Sequence, residues 1–219
     1  MEILSFKHLP STQTYLQKAI KEQVLHAPIA VIADEQSAGV GSRNNEWSGD
    51  KGNFFASIAI DLSSLPKDLP LSSASIYFSY IMKKLLLEQG ENIWLKWPND
   101  FYLNDNKIGG TITKKVNNTL VCGIGINLKN SKNGYRALSS DISAKILLEK
   151  YLFELQKFPN WKQVFREYEI EFELSRKFSV HIEKYQNEHQ ISCKKSLADA
   201  CLYEDGSLLL GGKRVYSLR

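Results

Sequence analysis

The stretch IWLKWPNDFYLNDNKIGGTITKKVNNTLVCGIGIN, residues 93–127, decides the fold. Its first segment, IWLKW, is apolar and runs into Pro98, which has no N–H to offer a ladder and forces the chain to turn. The next, FYLNDNKIGGTITKK, reverses at Asn104-Asp105-Asn106, residue types that tolerate left-handed backbone, and so reads as a hairpin. After a second turn at Asn117-Asn118, TLVCGIGIN supplies a further strand. The spacing therefore predicts consecutive strands joined by tight turns. One residue does not suit that reading: Lys96 stands between Trp94 and Trp97, and lysine is seldom buried without a partner.

Working outward, NFFASIAI (53–60) alternates, with Phe54, Ala56, Ile58 and Ile60 on one face. IAVIAD (29–34) is short, β-branched and apolar, the pattern of a strand buried on both sides. Leu16, Ala19, Ile20 and Val24 recur at helical spacing over 11–26, behind Pro10 and the candidate caps Ser11 and Thr12. Helices are predicted over 71–89, 139–157 and 160–173, and a polar loop over 35–52. From residue 175 the pattern changes to short alternating segments separated by turn signals such as Glu204-Asp205-Gly206, which suggests a small β-barrel. The chain divides into a mixed α/β domain, 1–174, and a C-terminal β domain, 175–219.

Composition bounds the function. The chain has 219 residues, 43% hydrophobic and 24% charged, with a net charge of +4. That is ordinary for a globular protein, and without a dense basic block it argues against a dedicated nucleic-acid binder. The N-terminus lacks the signature of an export signal, and no apolar run approaches the roughly 20 residues of a membrane span. The three cysteines include no C-x-x-C pair, so neither a disulfide framework nor a zinc ribbon is supported. The chain reads as cytoplasmic.

Four segments depart from plain core-and-surface patterning. DEQSAGVGSRNNEW (34–47) is a glycine-containing loop with Arg43, able to present N–H groups and charge to a phosphate, or simply a surface loop. KWPND (96–100) puts an ammonium, an amide and a carboxylate on one arc. Lys96 there would stabilise developing negative charge, or else snorkel from an edge strand. NKIGGTI (106–112) sets Lys107 beside a glycine pair that marks a bulge or a close approach to the backbone. CGIGIN (122–127) alternates Gly123 and Gly125 along one face, a floor for an apolar ligand or for a tightly packed helix. Together they gather strand-end glycines, cations, an aspartate and asparagines, which fits an anionic, partly apolar substrate and a nucleotide phosphate. The four histidines are scattered, against a histidine metal cluster.

The ordered series STQTYL (11–16), ADEQSAGVGSRNNEW (33–47), KWPNDFYLNDNKIGG (96–110), GIGIN (123–127) and the terminal DGSLLL and YSLR resembles the biotin protein ligases, or biotin–[acetyl-CoA-carboxylase] ligases, over nearly the whole length. The resemblance implies an α+β fold, a central mixed β-sheet flanked by helices, with an SH3-like barrel at the C-terminus. It also implies two half-reactions. With Mg²⁺ and ATP, the biotin carboxylate forms biotinyl-5′-AMP; a lysine of a biotin carboxyl carrier protein then takes the biotin. Lys96 would meet the biotin carboxylate and the α-phosphate, with Arg43 as the other catalytic cation. Ser11, Thr12 and Gln36 would contact the biotin rings, with Gly39, Val40, Gly123 and Gly125 lining the slot. Arg43, Asn44, Asn45, Trp47, Asn99, Asp100, Lys107 and Asn127 would address the nucleotide, Asp100 being the candidate metal ligand. The resemblance leaves a homodimer open.

This chain departs from the family pattern. The family loop reads G-R-G-R-x-G-R-x-W, whereas here Ser42 stands at the arginine that guards the adenylate and only the neighbouring Arg43 remains. Lys114 replaces a common acidic residue. The chain opens almost at STQTYL, so a winged-helix domain and operator binding are not expected. The alternatives are a biotin-binding protein without turnover and a lipoyl or octanoyl ligase of related fold.

Overall fold

The computed structural model describes the chain except residues 42–45, 48–50, 130–135, 187–188 and 218–219, and except the side chains of 183–192. The strands are β1 (Glu2–Phe6), β2 (Ile29–Ala33), β3 (Gly39–Val40), β4 (Glu46–Trp47), β5 (Phe54–Asp61), β6 (Ile93–Lys96), β7 (Asp100–Leu103), β8 (Asn106–Val116), β9 (Thr119–Ile126), β10 (Ser179–Gln186), β11 (His189–Ser196), β12 (Cys201–Leu202), β13 (Leu208–Leu210) and β14 (Lys213–Val215). The helices are α1 (Thr12–Lys21), α2 (Ala74–Glu88), α3 (Ala144–Leu155) and α4 (Trp161–Ser175).

Seven strands form one sheet in the order β1-β2-β5-β9-β8-β7-β6. β1 runs parallel to β2, with α1 as the crossover; the other pairs are antiparallel, so the sheet is mixed. The turns read from the sequence are in place, with Asn104 and Asn117 at φ 53° and 52°.

Alternation along the strands sorts side chains between two cores. Ala30, Ile32, Phe54, Ala56, Ile58, Ile60, Cys122 and Ile124 pack against α2, α3 and α4. Ile29, Val31, Ala33, Ala59 and Val121 pack against Leu16 and Ile20 of α1. β2 is thus buried on both faces, as its unbroken apolar run requires.

Three elements differ from expectation. β1 lies in a segment whose sequence suggested no strand. α1 stops at Lys21, with Gln23 at φ 57° just beyond, and the periodic Val24 is 69% exposed, so its apolar spacing points at no core. The loop over 35–52 contains the short β3–β4 pair.

The C-terminal strands form a two-stranded sheet, β10-β11, and a three-stranded one, β12-β13-β14. Their apolar residues Val180, Ile182, Leu208 and Leu210 join the α2–α4 core. The tight turn at Glu204-Asp205-Gly206 is gripped by three side chains. Trp161 Nε1 donates to Glu204 O at 2.8 Å, the Ser73 hydroxyl to Asp205 O, and Trp97 Nε1 to Gly206 O at 3.0 Å. Among the described residues no helix is long and apolar enough to cross a membrane.

Candidate active site

The pleat explains Lys96. Ile93, Leu95 and Trp97 enter the α2–α4 core, so Trp94 and Lys96 fall on the opposite face, the one that carries α1. Across that face the register runs Lys96, Asp100, Gly110, Gly125, Phe55, from β6 through β7, β8 and β9 to β5. The neighbouring row runs Ile112, Gly123, Ser57. Two adjacent rows thus hold three glycines between a charged end and a polar end.

A β-bulge adds the second lysine. Phe101 pairs with Gly109 but Tyr102 pairs with Lys107, leaving Ile108 as the extra residue on β8. Three residues apart on a regular strand, Lys107 and Gly110 would face opposite ways; the bulge turns both to the α1 face. Lys107 Nζ lies 2.6 Å from Asp100 Oδ1, and Lys96 Nζ lies 3.7 Å from Asp100 Oδ2. One carboxylate therefore sits between two ammonium groups. Burial, and then the Asp100 charge, push the Tyr102 hydroxyl up to about 12, so a neutral ring lies 5.8 Å from Lys96 Nζ.

The polar end is built by α1 and the segment after β2. Leu9 N donates to Glu35 O and Ser37 N to Leu9 O, drawing residue 36 beside the start of the helix. There Gln36 Oε1 accepts from Thr12 N at 2.7 Å, satisfying an N–H that a helix start leaves without an internal partner. Ser57 donates to Thr12 Oγ1 at 3.0 Å. Gln13 is buried; its Nε2 donates to Val121 O, which fixes the amide orientation, and its Oε1 has no partner. A slot runs between the two ends, lined by Ser11, Thr12, Gln36, Gly123, Gly125 and Lys107, with Asp100 its one carboxylate among the described residues.

The glycine floor is roofed. A Cβ on Gly123 would lie 2.6 Å from Gln13 Oε1, and one on Gly125 2.6 Å from Trp47 Nε1, itself buried without a partner. Trp47 in turn lies under Lys107, whose Nζ is 5.8 Å from the ring centroid.

A family model described as the biotin/lipoate A/B protein ligase family matches residues 5–130, more than half of the chain. The chain belongs to that family. The bifunctional ligase/repressor BirA of Escherichia coli is 32% identical over 127 residues, 55% of this chain and 38% of that protein. The biotin–[acetyl-CoA-carboxylase] ligase of Paracoccus denitrificans is 31% identical over 108 residues, 45% of this chain and 43% of that protein. The matches thus span less than half the length of these curated relatives. A solved structure, the biotin acetyl coenzyme A carboxylase synthetase of Helicobacter pylori with bound biotinylated ATP, is 40% identical with a TM-score of 0.88, covering 98% of this chain and 99% of that one. The Aquifex aeolicus biotin protein ligase, 22% identical with a TM-score of 0.70 over 100% of this chain and 96% of that one, shares the fold.

In this member of the biotin/lipoate A/B ligase family, most sequence-predicted residues converge. Ser11, Thr12, Gln36, Val40, Trp47, Asn99, Asp100, Lys107, Gly123 and Gly125 all line the slot. Three do not. Lys96 opens on a second, adjoining cavity instead, because its row ends one strand beyond Asp100. Gly39 lines neither space; a Cβ there would meet the Trp47 backbone and Gln36 Nε2, so it serves the β3–β4 approach. Asn127 is buried and internally engaged: its Nδ2 donates to Arg136 O at 3.3 Å and its carbonyl accepts from Leu138 N at 3.1 Å. Arg43, Asn44 and Asn45, with Ser42, lie outside the described residues.

Gln13 and Ser57 carried no functional reading in the sequence. Ser57 had a signal: it is the one polar residue between Phe54 and Ile60 of the NFFASIAI alternation, opposite Gly123 in the register. Gln13 had none beyond its neighbours, since a glutamine in a first helical turn reads as solvated.

Proposed function

We propose that this chain is an ATP-dependent biotin ligase. In this reading it activates the biotin carboxylate as biotinyl-5′-AMP. It then acylates a lysine of the biotin carboxyl carrier protein of a carboxylase. The observation that carries the reading is the polar end of the slot. With Gln36 Oε1 occupied by Thr12 N, the Gln36 amide N–H groups are left to donate. With Thr12 Oγ1 accepting from Ser57, the Thr12 hydroxyl is left to donate. Gln13 Oε1 is left to accept. Donors flanking one acceptor match a cyclic urea, with its carbonyl and N–H groups; a dithiolane or a plain alkyl chain has neither. The Helicobacter relative, solved with biotinylated ATP and sharing nearly the full length, supports the same assignment.

The charged end suits the chemistry. Carboxylate and triphosphate repel, and an ammonium about 4 Å from the reacting oxygens offsets about 4 kcal/mol at an effective dielectric constant of roughly 20. Of the two lysines, Lys107 lines the slot, so we assign the contact with the biotin carboxylate to Lys107 and move Lys96 to the phosphate side. In the first half-reaction a carboxylate oxygen attacks the α-phosphorus and pyrophosphate leaves. In the second, the acceptor amine attacks the acyl carbon, AMP leaves, and the amine's proton goes to Asp100, the only carboxylate lining the slot among the described residues.

Mg²⁺ fits this site through ATP, because such an ion is held by one or two carboxylates plus phosphate oxygens. Among the described residues Asp100 is the single carboxylate in reach, and no cluster of three metal-ligating side chains exists. The ion would neutralise triphosphate charge. We also assign the chain to the cytoplasm, where ATP and the carrier protein are found.

Incubation with biotin, ATP and Mg²⁺, with and without a carrier domain, tests the function by mass spectrometry. Biotinyl-adenylate should form without the carrier, and a biotinylated lysine with it. Lipoate and octanoate should give neither. Biotin binding without adenylate would leave a binding protein, and product from lipoate would move the chain to the related ligases.

A further inference from the structure

β6 is the last strand of the central sheet, so one of its edges has no strand beside it. Alternate residues of a strand turn their N–H groups to the same edge, and α4 covers the outward ones. Trp97 N donates to Ser175 Oγ at 3.0 Å, and Glu171, one helical turn earlier, sets its carboxylate by the Leu95 N–H. The spacing matches, since four residues of helix rise about 6 Å and two residues of strand about 6.6 Å. Lys96 lies between the two covered N–H groups. Ser175, the last residue of α4, is fully buried, and so is Trp97.

The chain crosses from β6 to β7 in three residues, Trp97, Pro98 and Asn99, with Lys96 and Asp100 paired across the mouth of the turn. Asn99 anchors the far side. Its carbonyl accepts from Thr111 N at 3.0 Å, and its Nδ2 donates to Thr111 O. One residue thus engages both backbone polar groups of Thr111. Asn99 lines the slot and the second cavity, yet its Nδ2 is committed to β8. We propose that Ser175 and Asn99 are positioning residues, which clamp this turn from opposite sides and so fix Lys96 and Asp100 for the reaction. The inference rests on the ligase reading and deepens it.

Two groups work from the mouth of this turn: Lys96, on the phosphate side, and Asp100, held between Lys96 and Lys107. A charge that stabilises a transition state acts only where the reacting atoms will be, and a displacement of about 1 Å can cost roughly 10²-fold in rate. Without the Ser175 hydroxyl, the Trp97 N–H is buried and unsatisfied, and the turn must shift to recover a partner. Without the Asn99 amide, Thr111 O loses its donor and the other side of the turn loosens. Ser175 sits at the sheet edge, between the two faces, and far from the Thr12, Gln13 and Gln36 end of the slot. Biotin recognition there should not register its loss.

The test compares full-length wild type, Ser175→Ala, Ser175→Thr and Asn99→Ala, each assayed well below its own unfolding temperature. With biotin, ATP and Mg²⁺ in a single turnover, Ser175→Ala and Asn99→Ala should form biotinyl-adenylate roughly tenfold more slowly, the rate equivalent of one buried hydrogen bond. The KM for biotin should hold. Ser175→Thr keeps the acceptor oxygen and should recover most of the rate. Ser175→Ala is then combined with Lys96→Ala, a cycle that decides the matter even if the threonine methyl is not tolerated. Action through Lys96 makes the double variant no slower than Lys96→Ala alone, whereas a further tenfold fall overturns the positioning role. Wild-type rates in both alanine variants, with the wild type active, overturn the clamp and leave the ligase reading intact. A raised KM for biotin at an unchanged rate also overturns it, by making the turn a wall of the biotin slot. A wild type that forms no adenylate removes the ligase reading, and the clamp's role with it.

Discussion

The two faces of the central sheet use the same strands in opposite ways. On the α2–α4 face, β5 and β9 present Phe54, Ala56, Ile58, Cys122, Ile124 and Ile126, and the space is filled. On the α1 face the alternate positions include Ser57, Gly123 and Gly125, and side chains from elsewhere, Gln13 and Trp47, occupy the room above the glycines. Buried polar atoms without partners occur on both. Ser79 and Tyr168 on the closed face line neither the slot nor the second cavity, whereas Gln13 and Trp47 line the slot. An orphaned polar atom therefore marks a binding site only where it meets a space a ligand can enter. The open face should carry the activity and the closed face the stability, and substitutions on each can break that division.

The largest effect is expected at Lys107, where alanine should lower the rate of adenylate formation by roughly 10²–10³-fold, the loss typical of one preorganised charge stabiliser. Its side chain is 41% exposed, so the urea midpoint should barely move. If Lys96→Ala is the more damaging to adenylate formation with biotin affinity lost, the division of labour between the two lysines is reversed. The mirror substitution, Leu86→Ala, empties a fully buried position of the closed face. It should cost about 2–5 kcal/mol of stability, measured by urea unfolding. The biotin affinity of the folded fraction should stay at the wild-type level, and a parallel fall in affinity would mean that the faces are coupled.

Gly125→Ala sits on the boundary. Its new Cβ would crowd Trp47, with overpacking that should raise the KM for biotin roughly tenfold to a hundredfold. Stability should change less than in Leu86→Ala, because Trp47 lies on a two-stranded pair outside the main sheet. An unchanged KM would mean that biotin does not lie on this floor.

The same division governs what the sequence disclosed. Turns at Asn104 and Asn117, the alternation in β5 and the glycine spacing in β9 are local signals, and they placed β5 to β9 and most of the slot. Long-range pairing left no such trace. That Lys107 shares a face with Asp100 depends on a bulge set by pairing with β7, and the segment from 106 to 110 alone cannot reveal it. The tryptophans beside Lys96 were likewise misleading as neighbours. Trp97 turns to the other face and binds Gly206 O, while Trp94 packs on Tyr102 and Phe178. Lys96 keeps company with Asp100 and Tyr102, contacts set by register rather than sequence adjacency.

The smallest effect tests whether a charge on the closed face acts differently from those on the open one. Glu171 of α4 pairs with Lys83 of α2 at 2.7 Å, with little of either side chain exposed. Burial raises the Glu171 carboxyl above 4.5, the ordinary value, and outweighs the Lys83 charge, their hydrogen bond and the Leu95 N–H, all of which lower it. The folded state then holds the proton more firmly than the unfolded chain. That contribution to stability is fully present below pH 4.5 and is lost as pH rises through the raised folded value. Glu171→Gln cannot titrate, so its stability should decline less than that of the wild type over this window, read as urea midpoints from pH 4 to 7. Biotin affinity should be the same in both proteins at each pH. Parallel stability profiles would mean that the Lys83 pairing fully offsets the burial of Glu171, and the closed face would then hold its charge at no cost.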